Sequence, residues 1–134
     1  MKKMAVSLLL AQAAAVALAQ AAAPAGAAAS FVCGGISQPE SESMKAQARD
    51  HDAMLTFAER TGAYLADVDV QITDRRGAIV LEAKCEGPIM LLDLPGAGSW
   101  RVKATANGQT RQQTLTTAKG KTARATFVWP AGNP

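Results

Sequence analysis

The sequence predicts an all-β fold, an antiparallel sandwich of about seven strands preceded by a short helix. Three observations carry that reading. Several short stretches alternate apolar and polar residues with the two-residue period of a half-buried strand. Turn signals built from Gly, Pro, Asn and Asp separate them at intervals of about 8 to 12 residues. Two cysteines, Cys33 and Cys85, stand 52 positions apart in a small chain that opens like an exported protein.

Lys2 and Lys3 give a basic start, Met4 to Ala19 an apolar run, and Ala21 to Ala29 a small-residue stretch suited to signal-peptidase cleavage. Residues 1–29 are therefore expected to be a secretory signal peptide, with cleavage points after Ala21 and after Ala29 both compatible with the small-residue rule. A retained membrane anchor fits less well, since Pro24 and Gly26 interrupt a stretch whose Leu/Val-rich part is short. Ser30-Phe31-Val32 before Cys33 lacks the small-residue triplet of a lipoprotein. In a periplasmic or secreted setting the two thiols are expected to pair, and closing a loop of that length stabilises a domain by about 4 kcal/mol in the chain-entropy model.

Residues 30–52 are expected to form an N-terminal segment with a short helix. Phe31-Val32-Cys33-Gly34-Gly35 reads as a stretch tied to the body by the disulfide. Ser37-Gln38-Pro39-Glu40 has the Ser-x-x-Glu form of a capping box with proline in the first turn, so a helix starts there and runs to about Asp50. Its apolar positions are sparse, with Met44, Ala46 and Ala48, which predicts a surface helix burying a thin stripe.

Residues 53–130 carry the expected sandwich and 131–134 a tail. Met54 to Arg60 gives a first strand, ended by Thr61-Gly62. Val68, Val70 and Ile72 alternate with Asp67, Asp69, Gln71 and Thr73 in a second, and Asp74-Arg75-Arg76-Gly77 turns the chain into a third from Ala78 to Ala83. Ile89 to Leu94, apolar almost throughout and bounded by Pro88 and Pro95, reads as a strand buried on both faces. Trp100, Val102 and Ala104 then alternate with Arg101, Lys103 and Thr105 up to Asn107-Gly108, a strong hairpin signal. A two-residue loop there pairs Ala106 with Gln109, Lys103 with Gln112, Val102 with Gln113 and Trp100 with Leu115. Lys119-Gly120-Lys121 makes the last turn, and Thr122 to Trp129 the last strand.

Charge narrows the partners. The whole chain carries a formal +3, but without Lys2 and Lys3 it has 12 basic and 11 acidic side chains, a balance that argues against nucleic acid. The distribution is uneven: all six charged residues from 95 onward are basic. Arg101, Lys103, Lys119, Lys121 and Arg124 thus form a candidate face for an anionic partner such as a lipid head group or polysaccharide, or alternatively balance Asp67, Asp69 and Glu82 on neighbouring strands. Asp67 and Asp69, read as sharing one strand face, could be taken with Asp74 for a cation site, but that spacing alone does not supply the six or more converging oxygens calcium needs. His51 is the single histidine, so no multi-histidine metal site can be built. As a general base it would need a nucleophile and an orienting carboxylate, and Asp50 and Asp52 do not face it from adjacent helical positions. A solvated histidine at the helix end is the expectation. No catalytic residue, cofactor or metal ligand is assigned.

The succession Asp67 to Asp74, then Gly77, Glu86-Gly87, Leu94-Pro95-Gly96, Trp100-Arg101-Val102 and Gly108 resembles the carboxypeptidase regulatory-like (transthyretin-like) β-sandwich over residues 62–129, and most of all its small exported bacterial members. Those motifs are turn and core positions, so the resemblance implies a fold rather than an activity. Cys85-Glu86 stands where that family has Thr-Asp, Pro88 follows it, and the helix and Cys33 lie outside the family pattern. Hydroxyisourate hydrolases of the same fold look to need several histidines and a Tyr-Arg-Gly-Ser tail, whereas this chain ends Pro-Ala-Gly-Asn-Pro. The expected function is a non-enzymatic binding or accessory module of the bacterial cell envelope, meeting either an anionic envelope component or another envelope protein through a strand edge. The competing classes are a remote hydrolase or peptidase relative and a purely structural envelope protein.

Overall fold

The computed structural model describes residues 29–130; the expected signal peptide up to Ala28 and the tail from 131 lie outside the described residues. Eight strands form two four-stranded sheets. In chain order they are β1 (Ser30–Gly34), then helix α1 (Gln38–Gln47) with a 3-10 turn (Ala48–Asp50), β2 (Ala53–Glu59), β3 (Val68–Thr73), β4 (Ile79–Cys85), β5 (Ile89–Asp93), β6 (Gly98–Ala106), β7 (Gln109–Thr117) and β8 (Ala123–Trp129). One sheet has the order β1-β5-β2-β8 and the other β4-β3-β6-β7. No described helix is long and apolar enough to cross a membrane.

The alternating faces meet between the sheets. Leu55, Phe57, Met90, Leu92, Phe127 and Trp129 come from one, and Val68, Val70, Ile72, Trp100, Val102 and Leu115 from the other. Phe57 is the hub of an aromatic cluster, with ring centroids 5.9 Å from Phe127 and 6.2 Å from Trp129. The sides are closed differently. Along one, the Cys33–Cys85 disulfide, with Cα atoms 5.5 Å apart, joins β1 to β4. Along the other, the Gln113 side-chain amide of β7 donates to the Thr126 carbonyl of β8 (2.7 Å), and the Trp129 indole N–H donates to the Gln109 carbonyl (2.9 Å).

The β6–β7 hairpin has the register expected from its loop, with Trp100 opposite Leu115 and Ala106 opposite Gln109. Asn107 and Gly108 both take positive φ, 52° and 78°, as a two-residue turn of the I′ kind demands. Strand β5 is buried on both faces: Met90 and Leu92 enter the main core, while Ile89 and Leu91 meet Met44 and Ala48 of the helix in a second, smaller one. The Ser37 hydroxyl caps the helix by accepting from the Glu40 N–H (3.2 Å). The Glu40 carboxylate reaches back to the Ile36 N–H (3.3 Å), one residue before the cap. The buried stripe of α1 is Ser41 and Met44, continued by Ala48 in the 3-10 turn, and Ala46 faces solvent.

Three features depart from the sequence reading. The stretch 30–34 is the edge strand of the first sheet, paired with β5 from Ser30 opposite Asp93 to Gly34 opposite Ile89, which brings the strands to eight. The sandwich is not wholly antiparallel, because β2 and β8 run parallel from Ala53 opposite Ala123 to Glu59 opposite Trp129. Parallel neighbours need a long connection, and the five intervening strands supply it. Asp67 is not a strand residue. It takes φ 59° just before β3, in the left-handed region that aspartate tolerates better than most side chains.

Candidate functional site

The loops β3–β4, β5–β6 and β7–β8 meet at one end of the sandwich, and the structure places a cationic depression there. Its first wall is the turn Asp74-Arg75-Arg76-Gly77. The Asp74 carboxylate organises this turn by accepting, through Oδ1, from the N–H groups of Arg76 and Ala78 (2.9 Å each), and Gly77 takes φ 90°. Arg75 and Arg76, in the middle of that turn, are both exposed. The second wall is the start of β6. Arg101 lies opposite Thr73, the last residue before the turn, so strand pairing brings it into the same hollow as the two arginines.

Two adjoining hollows of about 320 and 600 Å³ result, lined in common by Asp74, Arg75, Arg76, Ser99 and Trp100, with Gly77, Arg101 and Thr114 completing the first. The described residues hold two ion pairs, His51 with Asp93 and Lys84 with Asp69, and neither uses these arginines. Three arginines thus line one hollow with a single carboxylate, which is already engaged by backbone N–H groups.

The residues named from the sequence as an anionic-partner face are not brought together as one. Arg101 joins the depression just described. Lys103 lies on the outer face of the second sheet, in a shallow concavity of about 710 Å³ with Asp69, Gln71, Glu82, Lys84 and Gln112. Charges cancel there: Lys84 Nζ is 3.2 Å from Asp69 Oδ1, and Gln71 donates to Glu82 (2.8 Å). Lys119 sits in a smaller hollow beside Asp52 and Thr117, with Lys121 two residues on in the same loop. Arg124 lies on β8 of the other sheet, its guanidinium 3.9 Å from Met54 Sδ.

The aspartates considered for a cation site are likewise apart. Asp69 is paired with Lys84, Asp74 serves its turn at the far end of β3, and Asp67 precedes the strand. Among the described residues no group of three or more His, Cys, Asp or Glu is placed to hold a metal ion.

His51 is not the solvated residue expected at a helix end. It follows the 3-10 turn in an extended conformation (φ −129°, ψ 162°), and its Nδ1 donates to Asp93 Oδ2 (2.9 Å) with the imidazole only 20% exposed. The α-helix stops at Gln47 and the 3-10 turn carries the chain to Asp50, the expected end, after which the extended backbone swings the ring onto β5. Asp93 Oδ1 also accepts from the Asp52 N–H (3.3 Å), and the Asp52 carboxylate accepts from the Leu94 N–H (2.8 Å), so the node staples the helix exit to β5. The nearby Thr122 hydroxyl bonds to the carbonyls of Ala48 and His51 (3.0 Å each).

Sequence reasoning passed over Arg75 and Arg76, because arginines in a turn are ordinary solvated residues. The signal that identifies them is register: a turn closing β3 stands next to whatever begins β6. It also passed over Lys45 and Tyr64, where the ammonium lies 5.8 Å from the ring centroid and its hydrogen bond to the Tyr64 oxygen holds the lysine pKa above its usual value.

Set against models of known protein families the chain matches none, and no curated protein sequence matches it.

Proposed function

We propose that the chain is a non-enzymatic binding or accessory module of the bacterial cell envelope, periplasmic or secreted, built on a carboxypeptidase regulatory-like sandwich of the transthyretin-like kind. The observation that carries this reading is the convergence of Arg75, Arg76 and Arg101, without ion-pair partners among the described residues, on the loop end of a scaffold braced by a disulfide. Guanidiniums held on a turn and a strand are preorganised donors for an anion. The signal-like opening and the disulfide both favour an oxidising compartment outside the cytoplasm.

The function so read is to hold an anionic envelope component. Co-sedimentation of the protein with phosphatidylglycerol vesicles and with lipopolysaccharide, against phosphatidylcholine vesicles, tests it. Retention on the anionic surfaces at low ionic strength, weakening as salt is added, is the expected result. Equal recovery in the supernatant with all three surfaces at low salt would end the reading.

A strand-edge partner is the second reading, favoured by β1. This edge strand keeps Phe31 and Val32 38% and 52% exposed, which suits addition of an extended segment. The rival hydrolase reading draws on the His51–Asp93 pair, half of a base-and-orienter arrangement, but the neighbouring Thr122 hydroxyl is occupied by two backbone carbonyls.

A further inference from the structure

We infer that the Arg75/Arg76/Arg101 depression is a binding site for a phosphomonoester, a terminal phosphate on a small carbon skeleton. The inference rests on the anionic-component reading above and specifies its ligand.

Charge is the first argument. The three guanidiniums exceed the single Asp74 carboxylate by two positive charges, and the Asp74 Oδ1 is occupied by the Arg76 and Ala78 N–H groups. A phosphomonoester carries about −1.5 to −2 at neutral pH and presents three strong acceptor oxygens. A carboxylate, sulfate ester or phosphodiester carries about one negative charge and leaves the site undercompensated.

Donor geometry is the second. Each guanidinium offers a planar fork that meets two oxygens of a phosphate, and Arg75 and Arg76 approach from the turn while Arg101 approaches from the strand. Arg101 lies opposite Thr114, and Thr114 and Ser99 line the same hollow, hydroxyl residues that can add neutral donors beside the charged ones. This is the donor excess expected around a group that only accepts.

The floor is the third argument. Trp100 lines both hollows although its ring belongs to the core, and its indole N–H is already donated to Thr117 Oγ1 (3.0 Å), so it bounds the depression as an apolar wall and not as a donor. Inorganic phosphate has no use for such a wall, whereas the carbon skeleton of an ester does. The concavity on the outer face of the second sheet lacks this combination, because Lys84 and Lys103 stand there with Asp69 and Glu82.

The test uses the disulfide-bonded protein at a pH above the second phosphate pKa of about 6. Vesicles of phosphatidylcholine doped with phosphatidic acid display a phosphomonoester, and vesicles doped with phosphatidylglycerol to the same surface charge display a phosphodiester. Soluble glycerol phosphate is the competitor. Retention is expected to be stronger on phosphatidic acid and to fall at least about tenfold in the Arg75→Gln/Arg76→Gln pair and in Arg101→Gln, the loss of a charge-assisted hydrogen bond or more. Arg124→Gln, on the other sheet, is expected to match the unmodified protein, and unchanged thermal melting of all variants shows that folding is not the cause. Competition by glycerol phosphate identifies the free monoester as a sufficient ligand. Retention on phosphatidic acid without such competition identifies a lipid-displayed one, and both support the site. Equal retention on phosphatidylglycerol, or losses no larger than that of Arg124→Gln, overturn the phosphomonoester assignment while leaving anionic binding in place. No retention on any anionic surface overturns both.

Discussion

The indole N–H of Trp100 donates to the Thr117 hydroxyl (3.0 Å), and the hydroxyl lies 3.2 Å from the carbonyl of Gly96. One buried threonine therefore ties the start of β6, the end of β7 and the loop that begins at Leu94, and this loop borders the arginine depression. Thr117→Val keeps the shape and removes the hydroxyl, leaving a largely buried indole N–H without a partner. The expected cost is about 1–3 kcal/mol in urea denaturation, and Thr117→Ser should recover most of it. Equal stability of the valine variant would show that the indole finds water instead.

The disulfide has a larger expected effect. Cys33 and Cys85 close 52 positions of chain and fasten the edge strand β1 to β4. Reduction, or the Cys33→Ser/Cys85→Ser pair, should lower unfolding free energy by about 4 kcal/mol, a large share of what a domain of this size has. Urea curves with and without reductant measure it. A shift below about 1 kcal/mol would mean that the unfolded chain already holds the two segments close.

A smaller contribution is expected of His51. Its bond to Asp93 is half exposed on the carboxylate side, 45%, so solvent screens it. A double-mutant cycle with His51→Ala and Asp93→Ala should return a coupling of about 0.5–1.5 kcal/mol. The Asp93→Ala variant alone should be the more damaging, because the Asp52 N–H loses its acceptor as well. The reverse order would show that the imidazole packs more than it bonds.

How much of this was legible in the sequence varies with how local the information is. The β6–β7 register could be read because Asn107-Gly108 admits essentially one tight loop and because Trp100 and Leu115 must share the inner face. The helix start could be read from Ser37, whose cap is a contact three residues long. Strand β1 could not, since Val32 points outward and the two glycines after Cys33 read as a turn; β1 becomes a strand only because β5 offers it an edge. The same holds for the site. Arg75 and Arg76 meet Arg101 through the pairing of β3 with β6, and His51 meets Asp93 because β2 pairs with β5 from Ala53 opposite Leu92. Neither encounter leaves a trace in the spacing of the residues concerned.

The seam between β1 and β4 offers the sharpest structural test. Gly87, in the turn after β4, lies so close to β1 that a Cβ built on it would overlap the backbone carbonyl group and Cα of Gly34. Backbone cannot swing aside as a side chain would, and the disulfide fixes β1 one residue away at Cys33. Gly87→Ala should therefore cost about 1–3 kcal/mol in the oxidised protein, the range of an overpacked core site. In the reduced protein β1 is free to give way, and the cost should shrink, so the two perturbations are expected to be non-additive. Urea denaturation of the original and Gly87→Ala proteins, each oxidised and reduced, supplies the four values. Penalties that simply add would show that the glycine and the disulfide act on separate parts of the fold.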